Sequence, residues 1–127
     1  MKFSKFDSEM SRAKGHGSAH EGTHHWMHQR LTAIANLPLV IWLIWSVASL
    51  NGATHAEFTA WLAQPWNAVL MILLIISVFY HAVLGAQVII EDYIHCGWFK
   101  MLKLIGNKLF FFALGIACIF SILKIAL

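Results

Sequence analysis

A single histidine, His81, stands inside the stretch SVFYHAVLGAQVIIEDYIH (77–95), in a run otherwise suited to lipid. An ionisable side chain in hydrocarbon costs about 2.5 kcal/mol or more when charged, and such residues mark functional sites by default. Ser77 and Gly85 lie four residues to either side, so His81 projects from a helix face with small neighbours. That clearance would let a flat macrocycle approach the backbone, and imidazole is a common axial ligand of haem iron. Met71 and Tyr80 also carry atoms able to ligate but lack the framed position. The plainer reading is a neutral histidine hydrogen-bonded to a neighbouring helix. His55 and His95 fall in loops and the N-terminal histidines at or outside the membrane surface, so a second imidazole on one haem would have to come from another polypeptide.

Asp92 follows His81 by eleven residues, which at about 100° per residue is three turns plus 20°. The two therefore share a helix face, with Asp92 about 16 Å nearer the helix end. Tyr93, beside it, carries a hydroxyl that can donate to a carbonyl, and the carboxylate can orient that hydroxyl or relay protons. An aromatic-belt tyrosine next to a solvated aspartate is the equally ordinary alternative.

Two other groups of chemically capable residues are set aside. HEGTH (20–24) matches H-E-x-x-H, which places two imidazoles and a general base around zinc only when it lies on a rigid helix. Here it sits in a Gly/Ser/His-rich arm, with no third ligand specified, so weak incidental metal binding is the stronger expectation. Cys96 and Cys118 are not in a C-x-x-C pair and are expected to be ordinary packing residues, without a disulfide.

The elements that must hold these residues are spans of membrane helix. The 127-residue chain is 59% apolar and 12% charged, against about 45–50% and about 25% in soluble domains. The charges avoid 31–50, 66–90 and 109–123, the last a run of 15 that 104–107 extends backwards past Lys108, and a hydrocarbon core about 30 Å thick needs about 20 apolar residues of helix. The fold class expected is an all-α membrane protein of three transmembrane helices, spanning about 31–50, 66–90 and 104–123, in an anchor domain over 31–127. A water-soluble bundle would show a polar face on each helix, which these segments lack. Residues 1–30 form a polar, partly irregular arm, and no apolar h-region follows its early charges, so it does not read as a cleavable signal.

Local signals punctuate the spans. Pro38 removes a backbone bond to Ile34 and predicts a modest kink, and Asn36 beside it should face another helix. Asn51-Gly52 ends the first span. Thr54 and Glu57 form a T-x-x-E capping box that opens a short interfacial helix bearing Phe58, Trp61 and Leu62 on one face. Pro65 starts the second span. Trp61 and Trp66 are expected at one interface and Trp98 at the other. The arm holds Lys2, Lys5, Arg12, Lys14 and Arg30, the 51–65 loop has no Lys or Arg, and the next loop has Lys100 and Lys103. The positive-inside rule then puts the N-terminus in the cytoplasm and the C-terminus outside. The net charge of +3 is mostly this orienting charge and needs no nucleic-acid partner.

With these residues in view, the sequence resembles the small haem-bearing membrane anchors of succinate dehydrogenase (respiratory complex II), of the cytochrome b556 type. HAVLGAQVIIEDY is similar to that family's H-x-x-x-G…Q-V…D-Y segment, and HWMHQRLTA resembles its H-W…[QE]-R segment; the wider stretch GSAHEGTHHWMHQRLTAIANLPL looks alphaproteobacterial. The likeness covers about 17–93 and leaves the third span to hydropathy alone. It implies that His81 is one axial ligand of haem b, its iron held on the other side by a histidine of a second anchor chain. It implies that Arg30 meets a haem propionate, for which a guanidinium is suited. Tyr93 would donate to a ubiquinone carbonyl, with Asp92 in support. FAD and iron–sulfur clusters would belong to a flavoprotein and an iron–sulfur protein docked on the inner face of a bacterial inner membrane. The chain would then be a non-catalytic subunit of an oxidoreductase. The rival is a structural or assembly tether with His81 merely hydrogen-bonded between helices; a transporter would need ionisable groups on more than one span.

Overall fold

The structure is a computed structural model that describes residues 20–127, with side chains from Gly22 onward. Four helices follow one another: α1 (His20–Ser49), α2 (His55–Leu62), α3 (Pro65–Tyr93) and α4 (Gly97–Ala126). Three of them, α1, α3 and α4, are long and apolar enough to cross a membrane. At 1.5 Å per residue the 29 residues of α3 extend about 43 Å, longer than a hydrocarbon core about 30 Å thick.

The terminators act as their residue types require. Gly52 takes a positive φ of 82°, a backbone region open to glycine, and turns the chain out of α1. Thr54 then caps α2: its hydroxyl accepts from the Glu57 backbone N–H while the Glu57 carboxylate accepts from the Thr54 N–H at 2.7 Å. Those hydrogen bonds, from the Thr54 backbone first and its hydroxyl second, hold the Glu57 carboxyl below its ordinary value. Pro65 opens α3, where its missing N–H costs nothing. Pro38 lies within α1, which continues through it as one helix.

Two boundaries differ from what charge alone suggests. α1 starts at His20, well ahead of the apolar run, so the last third of the polar arm is helix; the rest of the arm lies outside the described residues. α4 starts at Gly97 and runs through Lys100, Lys103 and Lys108 without a break. Long basic side chains can keep their ammonium groups near the headgroups while their stems lie along apolar helix, so charge marks the hydrocarbon limit and not the helix limit. The helical start also removes the premise on which HEGTH was set aside, although the side chains of His20 and Glu21 lie outside the described ones. Among the described residues no three His, Cys, Asp or Glu side chains gather as a metal-holding group.

α3 packs against both α1 and α4, whereas α1 and α4 do not pack on each other. The three spans therefore make an open layer with α3 in the middle. A small apolar core of Leu62, Ala68 and Ile122, flanked by Trp61, Met71 and Ile75, plugs α2 onto the end where α3 begins. Trp61 stacks on Trp42, with ring centroids 5.9 Å apart, while Trp66 and Trp98 are exposed at opposite ends of the layer. Large apolar side chains such as Ile34, Ile41, Trp45 and Phe112 stay exposed, as lipid or another subunit would require. Both cysteines are free; Cys118 is partly buried, while Cys96 is exposed and does not pack.

Candidate functional site

His81 lies in the seam between α3 and α1. Thr32 Oγ1 of α1 is hydrogen-bonded to His81 Nδ1 at 2.9 Å, and Thr32 itself is buried. One helical turn away, His28 Nδ1 and Tyr80 Oη are hydrogen-bonded at 2.7 Å. Gln29 Nε2 stands 3.6 Å from where a Cβ on Gly85 would lie, ordinary contact that keeps α1 close to α3 at that level. The hydrogen bond of the plainer reading therefore exists, but it occupies one ring nitrogen only. Nε2 of His81 makes no hydrogen bond among the described residues.

The α1 side of the seam is written in residues at helical spacing: His25, Gln29, Thr32 and Asn36 advance by four, three and four, which puts them on one face. On α3 the matching face carries Ser77, His81 and Gly85. The antiparallel register that joins Thr32 to His81 and Gln29 to Gly85 also sets Asn36 level with Ser77. Four buried side-chain atoms here have no partner: His25 Nε2, Gln29 Oε1, Asn36 Oδ1 and Ser77 Oγ. An unpartnered polar atom out of water costs about 1–3 kcal/mol. A seam with four such atoms, one of them on His25, is a polar site whose hydrogen bonds are incomplete among the described residues.

The sequence signal for the α1 half was present in the 4-3-4 spacing, but it extends across Arg30, where an apolar run cannot be followed. His28, Gln29 and Thr32 are the site residues that reading by charge and hydropathy misses, whereas Asn36 is already expected from the sequence to face another helix.

The other candidates are placed apart from this seam. Arg30 is exposed and stacks over the Trp26 ring, with Cζ 4.2 Å from the centroid, a cation–π contact that leaves its donors free. Asp92 and Tyr93 sit at the last turn of α3; Tyr93 is 81% exposed, and neither makes a side-chain hydrogen bond among the described residues. Nearby, Gln87 Nε2 donates to Glu91 Oε1 at 2.8 Å and Lys100 Nζ donates to the Glu91 carbonyl at 2.9 Å, which ties the start of α4 to the end of α3. On the far side of α3, a cavity of about 510 Å³ opens between α3 and α4, lined chiefly by apolar side chains including Phe79, Phe111 and Ile116, with Tyr80, Gln87 and Lys108 as its polar lining. His81 faces away from that cavity.

Fold and site together define a class: a small multi-pass helical membrane subunit, apolar on its outer surfaces, with one intramembrane histidine set in a polar interhelical seam. The family model for the succinate dehydrogenase/fumarate reductase transmembrane subunit matches residues 4–123, and the chain belongs to that family. It is 39% identical over 106 residues to a succinate dehydrogenase hydrophobic membrane anchor subunit of Rickettsia bellii, covering 83% of this chain and 84% of the relative. The like-named protein of Rickettsia conorii is 38% identical over 90 residues, 70% of this chain and 71% of its own. That of Paracoccus denitrificans is 29% identical over 115 residues, 91% and 88% of the two chains. No solved structure gives a significant match. The chain is accordingly a multi-pass protein of a bacterial membrane, of the succinate dehydrogenase membrane anchor type.

Proposed function

We propose that this subunit supplies one half of a haem b site and part of a ubiquinone-reduction site in a succinate:quinone oxidoreductase of the bacterial inner membrane. His81 ligates the haem iron, and the observation that carries this is its setting: one ring nitrogen tied to Thr32, the other without a hydrogen bond, in a seam of unpartnered polar atoms. The bound haem supplies a one-electron carrier whose potential its axial ligands help set. His81 is the one histidine inside the runs 31–50, 66–90 and 104–123, so a second anchor chain would contribute the other histidine that holds the haem. Arg30, two residues before Thr32 and so about 200° round α1 from it, offers a long guanidinium arm to a propionate at the membrane surface. Tyr93 donates to a quinone carbonyl at the end of α3, and Asp92 orients it or passes protons.

The chain performs no succinate chemistry itself. Flavoprotein and iron–sulfur partners, carrying FAD and the clusters, dock on the side of Tyr93 and Trp98, the side that the basic residues put in the cytoplasm. The second reading, a tether without redox role, is favoured by one observation: the Thr32 hydrogen bond gives His81 a structural occupation. His81→Ala separates them. In the purified complex the haem reading expects the reduced haem b bands to be lost or strongly diminished and the low-spin EPR signal altered. An unchanged spectrum and ligand field in that variant would leave the tether.

A further inference from the structure

Thr32 lies where two carbonyl oxygens of its own helix and a ring nitrogen of α3 converge. Its Oγ1 is 2.9 Å from the His28 carbonyl oxygen, 3.1 Å from the Gln29 carbonyl oxygen and 2.9 Å from His81 Nδ1. A hydroxyl has one proton to give and two lone pairs to receive with. If that proton pointed at Nδ1, two carbonyl oxygens would face hydroxyl lone pairs at these distances with no hydrogen between them. Threonine inside a helix ordinarily donates back to the carbonyl three or four residues earlier. The proton therefore goes to the α1 carbonyls, and the lone pair facing α3 accepts from His81 Nδ1–H.

We infer that Thr32 is the positioning residue for His81: it holds the proton on Nδ1, so that Nε2 presents its lone pair, and it fixes the plane of the ring against α1. This rests on the reading of His81 as a haem ligand and assigns to a different helix the control of that ligand. A hydrogen bond at the remote nitrogen also makes an imidazole a more basic donor to a metal. A better donor favours the oxidised iron, so the Thr32 hydroxyl holds the haem potential down. The β-branched side chain suits the task because packing against its own helix limits its χ1 to few rotamers.

The test uses the whole purified complex. Thr32→Val keeps the shape and removes the acceptor, and Thr32→Ser keeps the hydroxyl and removes the methyl. The expected result for Thr32→Val is an upward shift of the haem midpoint potential, altered low-spin EPR g-values and haem retention weakened about 10-fold or more, the usual effect of losing such a partner. Thr32→Ser should restore all three. If Thr32→Val does not assemble, Thr32→Ala, smaller and equally without an acceptor, is read for the same properties against Thr32→Ser. Wild-type potential, EPR and retention in Thr32→Val, or equal perturbation by Ser and Val, would overturn the positioning role while leaving the ligand in place. A complex whose haem signals survive His81→Ala fails the underlying reading instead, so the two failures are distinct.

Discussion

Replacing Tyr93 by phenylalanine tests the quinone half of the proposed function with little structural disturbance. Tyr93 is 81% exposed at the final turn of α3, and its hydroxyl bonds to no described residue, so removing one oxygen takes nothing from the fold of this chain. Any consequence must come from what the hydroxyl meets outside it. A hydrogen bond to a quinone carbonyl is worth about 0.5–1.5 kcal/mol net, which at 25 °C is about 2- to 13-fold in kcat/KM for quinone. If the carbonyl is left buried without a donor the loss rises to about 3 kcal/mol, or about 150-fold. Haem content should not change, because His81 lies twelve residues earlier, about 18 Å along the helix. Succinate oxidation with an artificial acceptor that takes electrons upstream should also persist. The measurement is the ratio of the two activities in isolated membranes, wild type against Tyr93→Phe. Unaltered quinone kinetics would refute the reasoning and make Tyr93 a belt residue. A parallel fall in both activities would refute it too, since it would place the damage upstream of quinone.

Two more outcomes follow from the packing and the charge pattern. At Gly115 an added Cβ would come 3.3 Å from Phe79 Cδ2, so Gly115→Ala needs only a slight shift of that ring, while Gly115→Leu overpacks the α3–α4 contact by about 1–3 kcal/mol; thermal inactivation of the complex should separate the two. A reporter fused after Leu127 should lie outside the cytoplasm and one inserted near Gly97 inside, and a cytoplasmic C-terminus would overturn the orientation drawn from Lys and Arg.

Much of the architecture was legible because membranes make strong demands on sequence. The uncharged runs 31–50 and 66–90, and 104–123 with its one charge at Lys108, read as spans by hydropathy, and Gly52, the Thr54–Glu57 box and Pro65 mark junctions by local chemistry alone. The ends of α1 and α4 were not legible from charge, since polar residues end a hydrocarbon crossing without ending a helix. His81 stood out as a lone ionisable group among apolar ones. Its partner Thr32 did not, because a threonine near a headgroup layer is ordinary until the register of α1 against α3 is known. The pairing of His28 with Tyr80 escaped for the same reason: each residue looks interfacial by itself, and only helix-on-helix register brings them to 2.7 Å.

Because α1 and α4 never meet, the spans are joined in series and not in a ring. A displacement of one outer helix can reach the other through α3, or through α2, whose Trp61 stacks on Trp42 of α1 and whose Leu62 packs with Ile122 of α4; three consecutive residues of α3 mark the first route. Phe79 presses toward Gly115 on α4, His81 bonds to Thr32 on α1, and Tyr80 between them lines the α4 cavity with its side chain while its hydroxyl holds His28. That single turn of α3 touches both outer helices, so the side chain that borders the space beside α4 is the neighbour of the histidine that bonds to α1.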